Sequence, residues 1–527
     1  MVNKFYESYK QSPEIADSYD VIIIGSGLSG LTTASLLAER GKKVLILEKH
    51  YTPGGFTHIF KRNDYEWDVG VHYIGEMHKP SSILARIFNH VSEGHLKFAD
   101  MGDVYDVIVI GGKRFEVRKG VTQLKADLKI AFPMEHQAID AYFDAVAQAT
   151  MAGKSFFTEK VIPSWMRVFA GNKMRKSYLD YSSITTRQLL ERYTHNEQLI
   201  AVLTGQYGDY GLPPAKSSFA MHAALVKHYF NGGYYPIGGS GQFFDTIAPK
   251  IIRNGGKIII NAAVAEIIIE NNSAKGVKLS DGRVINSKQV VSSAGVHITF
   301  NKLLKNQEHL TQELKPSHGH FCLYVGLDGS PDTLKLPKAN YWIYPDEHHD
   351  ANFDAFVENP LGDKLAGVYI SFPAAKDPTW TERYPGKSTI DILTVAPYSF
   401  FEQWEGTRWK KRGAEYEKIK ETLAQKLLEQ LYTVEPQLRG KVAYYELSTP
   451  LTTKNFCSYL QGELYGLDHT PERFNDKSLK PKTAYKNLFL TGQDIVTVGI
   501  GGALFSGILT ASAMLKKNVL NEILSSG

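Results

Sequence analysis

The chain has 527 residues, with 60 Lys and Arg against 55 Asp and Glu, for a net charge of +5. Hydrophobic residues make up 43% and charged residues 22%, a balance that excludes bulk disorder and permits a sizeable core in two or three domains. Two cysteines, Cys322 and Cys457, exclude a disulfide framework or a cysteine-based zinc site and favour a reducing compartment, and so thin a charge gives no case for a nucleic-acid partner.

The first twenty residues are polar and mixed in charge, without the apolar core of a signal peptide, so the expected location is cytoplasmic. Val21–Ile24 is an apolar, β-branched run of the kind buried on both faces of a parallel sheet. Gly25, Ser26, Gly27, Leu28, Ser29 and Gly30 follow as G-x-G-x-x-G. An amphipathic helix then runs toward Gly41, a second strand covers Val44–Leu47, and Glu48 closes it. Gly25 permits the tight turn, Gly27 lets the backbone approach a pyrophosphate, and Gly30 lets helix and strand pack closely. The helix N-terminus offers free N–H groups to phosphate. Glu48 can accept hydrogen bonds from ribose hydroxyls, which favours an adenosine without a 2′-phosphate. In a chain with 45 glycines the bare spacing arises by chance, but the surrounding strand, helix, strand and acid make it a dinucleotide cradle.

The next block separates flavin from nicotinamide. Lys49 to Phe56 places a glycine pair, Gly54 and Gly55, just after the acid, where a plain dehydrogenase proceeds to a third strand. The stretch from Phe60 to Gly75 then carries Asp68, Gly70, His72, Tyr73 and Gly75 as DxGxHYxG. From here the chain resembles the phytoene desaturase superfamily of FAD enzymes, and within it the retinol saturase branch. The resemblance implies FAD as cofactor and a Rossmann-like FAD-binding domain that carries an inserted α+β substrate domain.

Tyr105–Val117 nearly repeats the first motif but lacks the spaced glycines, and reads as a hairpin turning at Gly111–Gly112. No second dinucleotide fold follows, which points to an external electron donor. Residues 120–230 read mostly helical. Within them, Lys154 to Lys176 interleave six basic residues with Phe156, Phe157, Trp165 and Phe169, suiting contact with anionic lipid headgroups. Phe400–Arg412 is a lesser patch of the same kind. The segment from Gly232 to Gly295 resembles the family's second cofactor segment, which implies Val264 near the adenine. Strand-like runs recur at 320–327, 340–344, 367–372, 389–395 and 442–447, enough for a sheet with helices on one side. His348–His349–Asp350 reads as a surface loop, not a metal site.

Near the end, Thr449–Phe456, Gly462–Phe474 and Leu488–Gly507 match phrases of the same branch, implying Gly492, Asp494, Gly501, Gly502 and Ala503 as flavin contacts. Ile495–Leu515 carries no charge and is long enough to cross hydrocarbon, but its four glycines and its place after a strand suit a buried helix beside a ligand.

The expected organisation is an FAD-binding domain from 1–95, 232–300 and 480–527, with a substrate domain from 96–231 and 301–479. The expected reaction is saturation of a C=C bond in a retinoid, carotenoid or other long unsaturated lipid. His72, Tyr73 and Glu463, with Tyr465 beside them, are the candidate proton donors. Two alternatives stand beside it. One is a carotenoid desaturase or cis–trans isomerase of the same superfamily. The other is a non-catalytic prenyl-lipid binder of the Rab GDP-dissociation inhibitor type, which resembles this superfamily in fold.

Overall fold

The computed structural model of the chain describes residues 5–161, 164–305 and 314–525, with the backbone alone for 164–169. Two sheets organise it. The first is built on Ser18–Ile24, whose Val21, Ile22 and Ile23 have no exposed surface. This strand pairs in parallel with Val44–Leu47 on one side and Val284–Ser292 on the other, so that Ile24 lies level with Leu47 and with Ser292. Lys257–Ile260 extends the sheet beyond Val44–Leu47, and Leu488–Leu490 pairs in parallel with Val284–Ser292. Val264–Glu270 and Ser273–Leu279 extend it as an antiparallel meander, and Glu7–Ser8 pairs in parallel with Lys257–Ile260 at the other edge. Strands aligned in this way put Gly25, Glu48 and Ser293 together at the carboxyl edge, where open α/β sheets bind ligands.

The helix Leu28–Ala38 is buried along its whole length because it is sandwiched between that sheet and the helix Gly499–Leu515. The two helices touch nearly backbone to backbone: a Cβ on Gly507 would come within 2.6 Å of Thr32 Cβ. The uncharged C-terminal segment is therefore a 17-residue buried helix followed, after a 111° bend, by Val519–Ser525. No single helix among the described residues is long and apolar enough to cross a membrane.

The second sheet has seven strands in the order Val442–Ser448, Gly319–Asp328, Lys387–Ala396, Val368–Ser371, Asn340–Tyr344, Val104–Ile110 and Lys113–Arg118. The five runs read from sequence are joined by the 104–118 hairpin, which turns at Gly111–Gly112 and enters the sheet parallel to Asn340–Tyr344. Helices His136–Glu159 and Phe219–Tyr229 pack against each other beside it. The fold is α/β, a Rossmann-like domain with a second, mixed-sheet domain.

Three surface expectations are corrected. His349 is not on a surface loop: it opens a helix, is 1% exposed, and its Nε2 hydrogen-bonds Ala201 O at 2.9 Å, while Asp350 pairs with Arg187. In 154–176, Lys154, Lys173 and Lys176 are exposed, but Lys160, Arg175 and Phe156 are buried, so the basic face is thinner than the composition suggests. Lys160 donates to Ile495 O and Arg175 to Phe474 O, each stitching this region to the C-terminal segments. The side chains of Trp165 and Phe169 lie outside the described residues. In the 400–412 patch, Phe401, Trp404 and Arg412 are likewise buried.

Candidate active site

One continuous cavity of about 1100 Å³ begins at the carboxyl edge of the first sheet and ends among aromatic rings of the second domain. At its first end Gly25 and Gly27 line the wall, with Gly25 at a φ of +97° that strains any other residue. A Cβ on Gly30 would meet Gly25 O at 2.5 Å, so this turn closes only with glycine there. The Leu28–Ala38 helix starts at Gly27 with no side-chain cap, leaving its first N–H groups for a ligand.

Glu48 is held by three donors. Ser26 gives its N–H at 2.8 Å and its hydroxyl at 2.7 Å to Oε2, and His50 N–H reaches Oε1 at 2.8 Å. The Ser26 hydroxyl also accepts from Gly54 N at 3.0 Å, which lays the second glycine loop over the first; a Cβ on Gly55 would stand 3.0 Å from Gly27 Cα. Glu48 lines the cavity, and Oε1, with one donor, has capacity for another. Lys49 lines the same end, its Nζ on Ser458 Oγ at 2.7 Å, and Phe56 stacks on Tyr459. Val264, Gly492, Gly501, Gly502 and Ala503 complete this half. A backbone cradle without Cβ atoms, an uncapped helix start and an acid turned to the same space fit an extended dinucleotide.

The other half is apolar and flat-walled. Tyr73 stacks on Tyr229 with ring centres 4.3 Å apart, and Trp342 lies 4.4 Å from Tyr369. Tyr207, Tyr344, Phe353 and Tyr465 continue the lining. His228 joins the halves: its Nε2 accepts the Gly75 N–H at 2.8 Å, and it sits beside Gly501. Burial pushes its imidazole down to about 4, so the ring is neutral and free to accept.

Behind the chamber lies a buried polar cluster. Lys376, 1% exposed, donates to Ser371 Oγ at 2.7 Å, to His72 O at 3.1 Å and to Asn340 Oδ1. Burial lowers its ammonium to about 7, against the pull of Asp106, Asp391 and Asp68. Asp106 receives Asn340 Nδ2 at 2.7 Å and Gln206 Nε2 at 2.6 Å. Asp68 receives Ser240 N at 2.8 Å and the Tyr235 hydroxyl, and burial still raises its carboxyl to about 6. His72 lines the cavity with Nδ1 3.4 Å from Asp391 Oδ2, but neither ring nitrogen makes a hydrogen bond among the described residues. Burial drives His72 down to about 3 and Asp391 well up, so both favour their neutral forms.

The structure brings nearly all the sequence candidates to this cavity, but not all. Ser26 and Gly30 are buried behind the wall, where they shape it. Glu463 is not in the lining: its carboxylate accepts Leu460 N at 3.1 Å and Gln461 N at 2.7 Å and locks its own turn. Asp494 is also turned away, with Oδ2 on Val296 N at 2.8 Å and Oδ1 on Leu467 N at 3.0 Å; it ties three segments together. Both acids were read from their place in a motif; Glu463 is consumed by N–H groups two and three residues before it, and Asp494 by N–H groups that only folding brings near. Asp106, Asp209, Lys376 and Asp391 escaped the sequence reading, since each lies alone in an unremarkable segment. The aspartates at 106 and 391, inside β-branched runs where a charge is out of place, were the available signal.

The sequence profile of the flavin containing amine oxidoreductase family matches residues 28–319. The chain is 34% identical to the all-trans-retinol 13,14-reductase of Homo sapiens, over 97% of this chain and 88% of that protein. It is 25% identical to prolycopene isomerase 1 of an Oncidium hybrid cultivar, over 96% and 86%. Among solved structures, cyclohexylamine oxidase from Brevibacterium oxydans superposes with a TM-score of 0.60 at 16% identity, over 96% of this chain and 99% of that one, a likeness of fold. The glycine cradle, the acid beside it and these matches agree: the chain belongs to the flavin containing amine oxidoreductase family, within it to the all-trans-retinol 13,14-reductase group, and is an FAD-dependent oxidoreductase.

Proposed function

We propose that this enzyme saturates a C=C bond of a retinoid, carotenoid or other long polyene. The observation that carries the reading is the continuity of the cavity, from a dinucleotide cradle into a chamber walled by Tyr73, Tyr229, Trp342 and Tyr369. Flat rings at stacking distance suit a conjugated chain, whose faces are as apolar and polarisable as theirs. The named reaction of the 34% identical relative is of this class.

Bound FAD supplies hydride chemistry at its N5. Gly25, Gly27, Leu28, Ser29, Gly54 and Gly55 would hold its phosphates, Glu48 its ribose, Val264 its adenine side, and Gly492 with Gly501–Ala503 its ring end. The chain's own task is to orient the polyene, exclude water and place a proton on carbon. Of the candidate donors, His72 stands neutral in the cavity wall, and Tyr73 has its phenol proton held between two carboxyl groups. Both side chains line the chamber.

Electrons come from an external donor, and the exposed Lys154, Lys173 and Lys176, the first of them at the cavity lining, favour peripheral contact with anionic lipid from the cytoplasm. The similarity to a prolycopene isomerase supports a second reading, carotenoid isomerisation.

The test is anaerobic. The purified enzyme is reduced with dithionite, and a panel of polyenes including all-trans-retinol is added while the flavin band is followed. Reoxidation with a product heavier by two hydrogens is expected. Bleaching of the oxidised enzyme by a carotene would replace the reading with desaturation, and a changed isomer ratio without net redox change would replace it with isomerisation.

A further inference from the structure

The Tyr73 hydroxyl lies 3.0 Å from Asp106 Oδ2 and 3.0 Å from Asp209 Oδ2. A phenol carries one proton and can donate it to one of the two. If both carboxyl groups were ionised, one contact would press an oxygen lone pair against a carboxylate in a buried site, next to a second negative charge. The geometry therefore calls for one further proton.

The surroundings decide which carboxyl holds it. Asp106 has no exposed surface and already receives two amide donors, from Asn340 and Gln206, besides the phenol. That is the environment of an ionised carboxylate. For the Asp209 carboxyl, Tyr73 is the only hydrogen-bonding neighbour among the described residues, and Asp209 is a lining residue of the chamber. The extra proton belongs on Asp209.

We propose that Asp209 is the catalytic acid that protonates the substrate carbon, with Tyr73 and Asp106 as the positioning residues that keep it charged with its proton. The proposal rests on the saturase reading above. In the step, the Asp209 hydroxyl turns from the Tyr73 oxygen into the chamber, its O–H bond breaks and a C–H bond forms on the polyene. Bound reduced FAD would supply the hydride for the adjacent carbon. Asp209 is left as a carboxylate, and Tyr73 turns its O–H from Asp106 toward Asp209 Oδ2, while Asp106 keeps Asn340 and Gln206. Solvent reprotonates Asp209 when the product leaves. The acid–base order agrees with the geometry: burial, then the neighbouring Asp106, lifts Asp209 to about 8, whereas burial also raises Asp106 but the donors Asn340, Gln206 and Tyr73 limit it to about 6.

The test uses the FAD-loaded enzyme and the anaerobic assay with whichever polyene reoxidises the wild type. Asp209→Asn is expected to keep FAD, to bind the polyene unchanged and to be reoxidised normally by oxygen, yet to slow reoxidation by the polyene roughly 100-fold or more. Asp209→Ala should regain rate on addition of formate, an external acid that a merely structural loss would not answer to. Independently of turnover, the infrared difference spectrum of wild type minus Asp209→Asn at neutral pH should contain the carbonyl band of a protonated carboxyl, and wild type minus Asp106→Asn should not. Wild-type reoxidation rates in Asp209→Asn, or absence of that band, would overturn the role of Asp209 and leave the saturase reading standing. A wild type that no polyene reoxidises would overturn both.

Discussion

Ser26 grips Glu48 twice, through its backbone N–H at 2.8 Å and its hydroxyl at 2.7 Å, and the same hydroxyl takes the Gly54 N–H. A residue in the first glycine turn thus aims the ribose acid and anchors the second glycine loop. Glu48→Ala is expected to weaken FAD binding about 10- to 100-fold, the worth of a charge-assisted hydrogen bond at ~1.5–3 kcal/mol. Ser26→Ala should act in the same direction and less strongly. Titration of apoprotein with FAD, read by quenching of flavin fluorescence, checks both; unchanged affinity in Glu48→Ala would place the ribose elsewhere.

The two glycine-bearing faces of the C-terminal helix should behave differently. At Gly507 an added Cβ meets Thr32 Cβ at 2.6 Å and Ser29 O at 2.9 Å, so Gly507→Ala is expected to lower stability by about 1–3 kcal/mol, seen as a reduced Tm. At Gly501 the nearest atom to such a Cβ is His228 Cε1, at 4.0 Å. Gly501→Ala should leave Tm nearly unchanged and alter only what the cavity accepts.

His228 sets a pH dependence. Its imidazole is held near 4 by burial, while in the unfolded chain it titrates at its ordinary value of 6.5. Between those values the unfolded state binds more protons, so this contribution is fully present above about 6.5 and is lost as pH falls toward 4. The stability of the wild type relative to His228→Gln should therefore shrink by up to ~1.4 kcal/mol per pH unit across that window. Urea unfolding of the two proteins at a series of pH values measures it, and parallel curves would refute the linkage.

Lys376 is the buried cation among Asp106, Asp391, Asp68 and Asp209. Lys376→Met keeps the volume and removes the charge and three hydrogen bonds, leaving Asn340, Ser371 and the His72 carbonyl short of a partner. The expected cost is about 3–5 kcal/mol, the range for breaking a buried charge cluster from one side. Thermal unfolding checks the loss, and a variant as stable as wild type would mean that the carboxyl groups compensate by taking up protons.

Local pattern carried much of this protein. Val21–Ile24, the glycine spacing, Val44–Leu47 and Glu48 lie within thirty residues, and their physics is that of neighbours along a chain: a strand, a turn that needs φ of +97° at Gly25, and a helix start. The 104–118 hairpin was legible for the same reason, since Gly111–Gly112 and the alternation after it mark a turn and not a cradle. The uncharged C-terminal stretch also declared itself through its glycines, one of which makes the contact with Thr32.

What folding alone decided is where the carboxylates point and which protons they keep. Asp494 sits in a motif-like segment, yet backbone N–H groups of Val296 and Leu467 claim its oxygens. Asp209 sits in a short turn without a motif, yet the sheet that carries Asp106 and the loop that carries Tyr73 converge on it. Sequence spacing sets the chemistry of residues adjacent along the chain. The state of an ionisable group depends on the dielectric and the donors within a few ångströms, and for Asp106, Asp209 and Asp494 those include residues from distant segments of the chain.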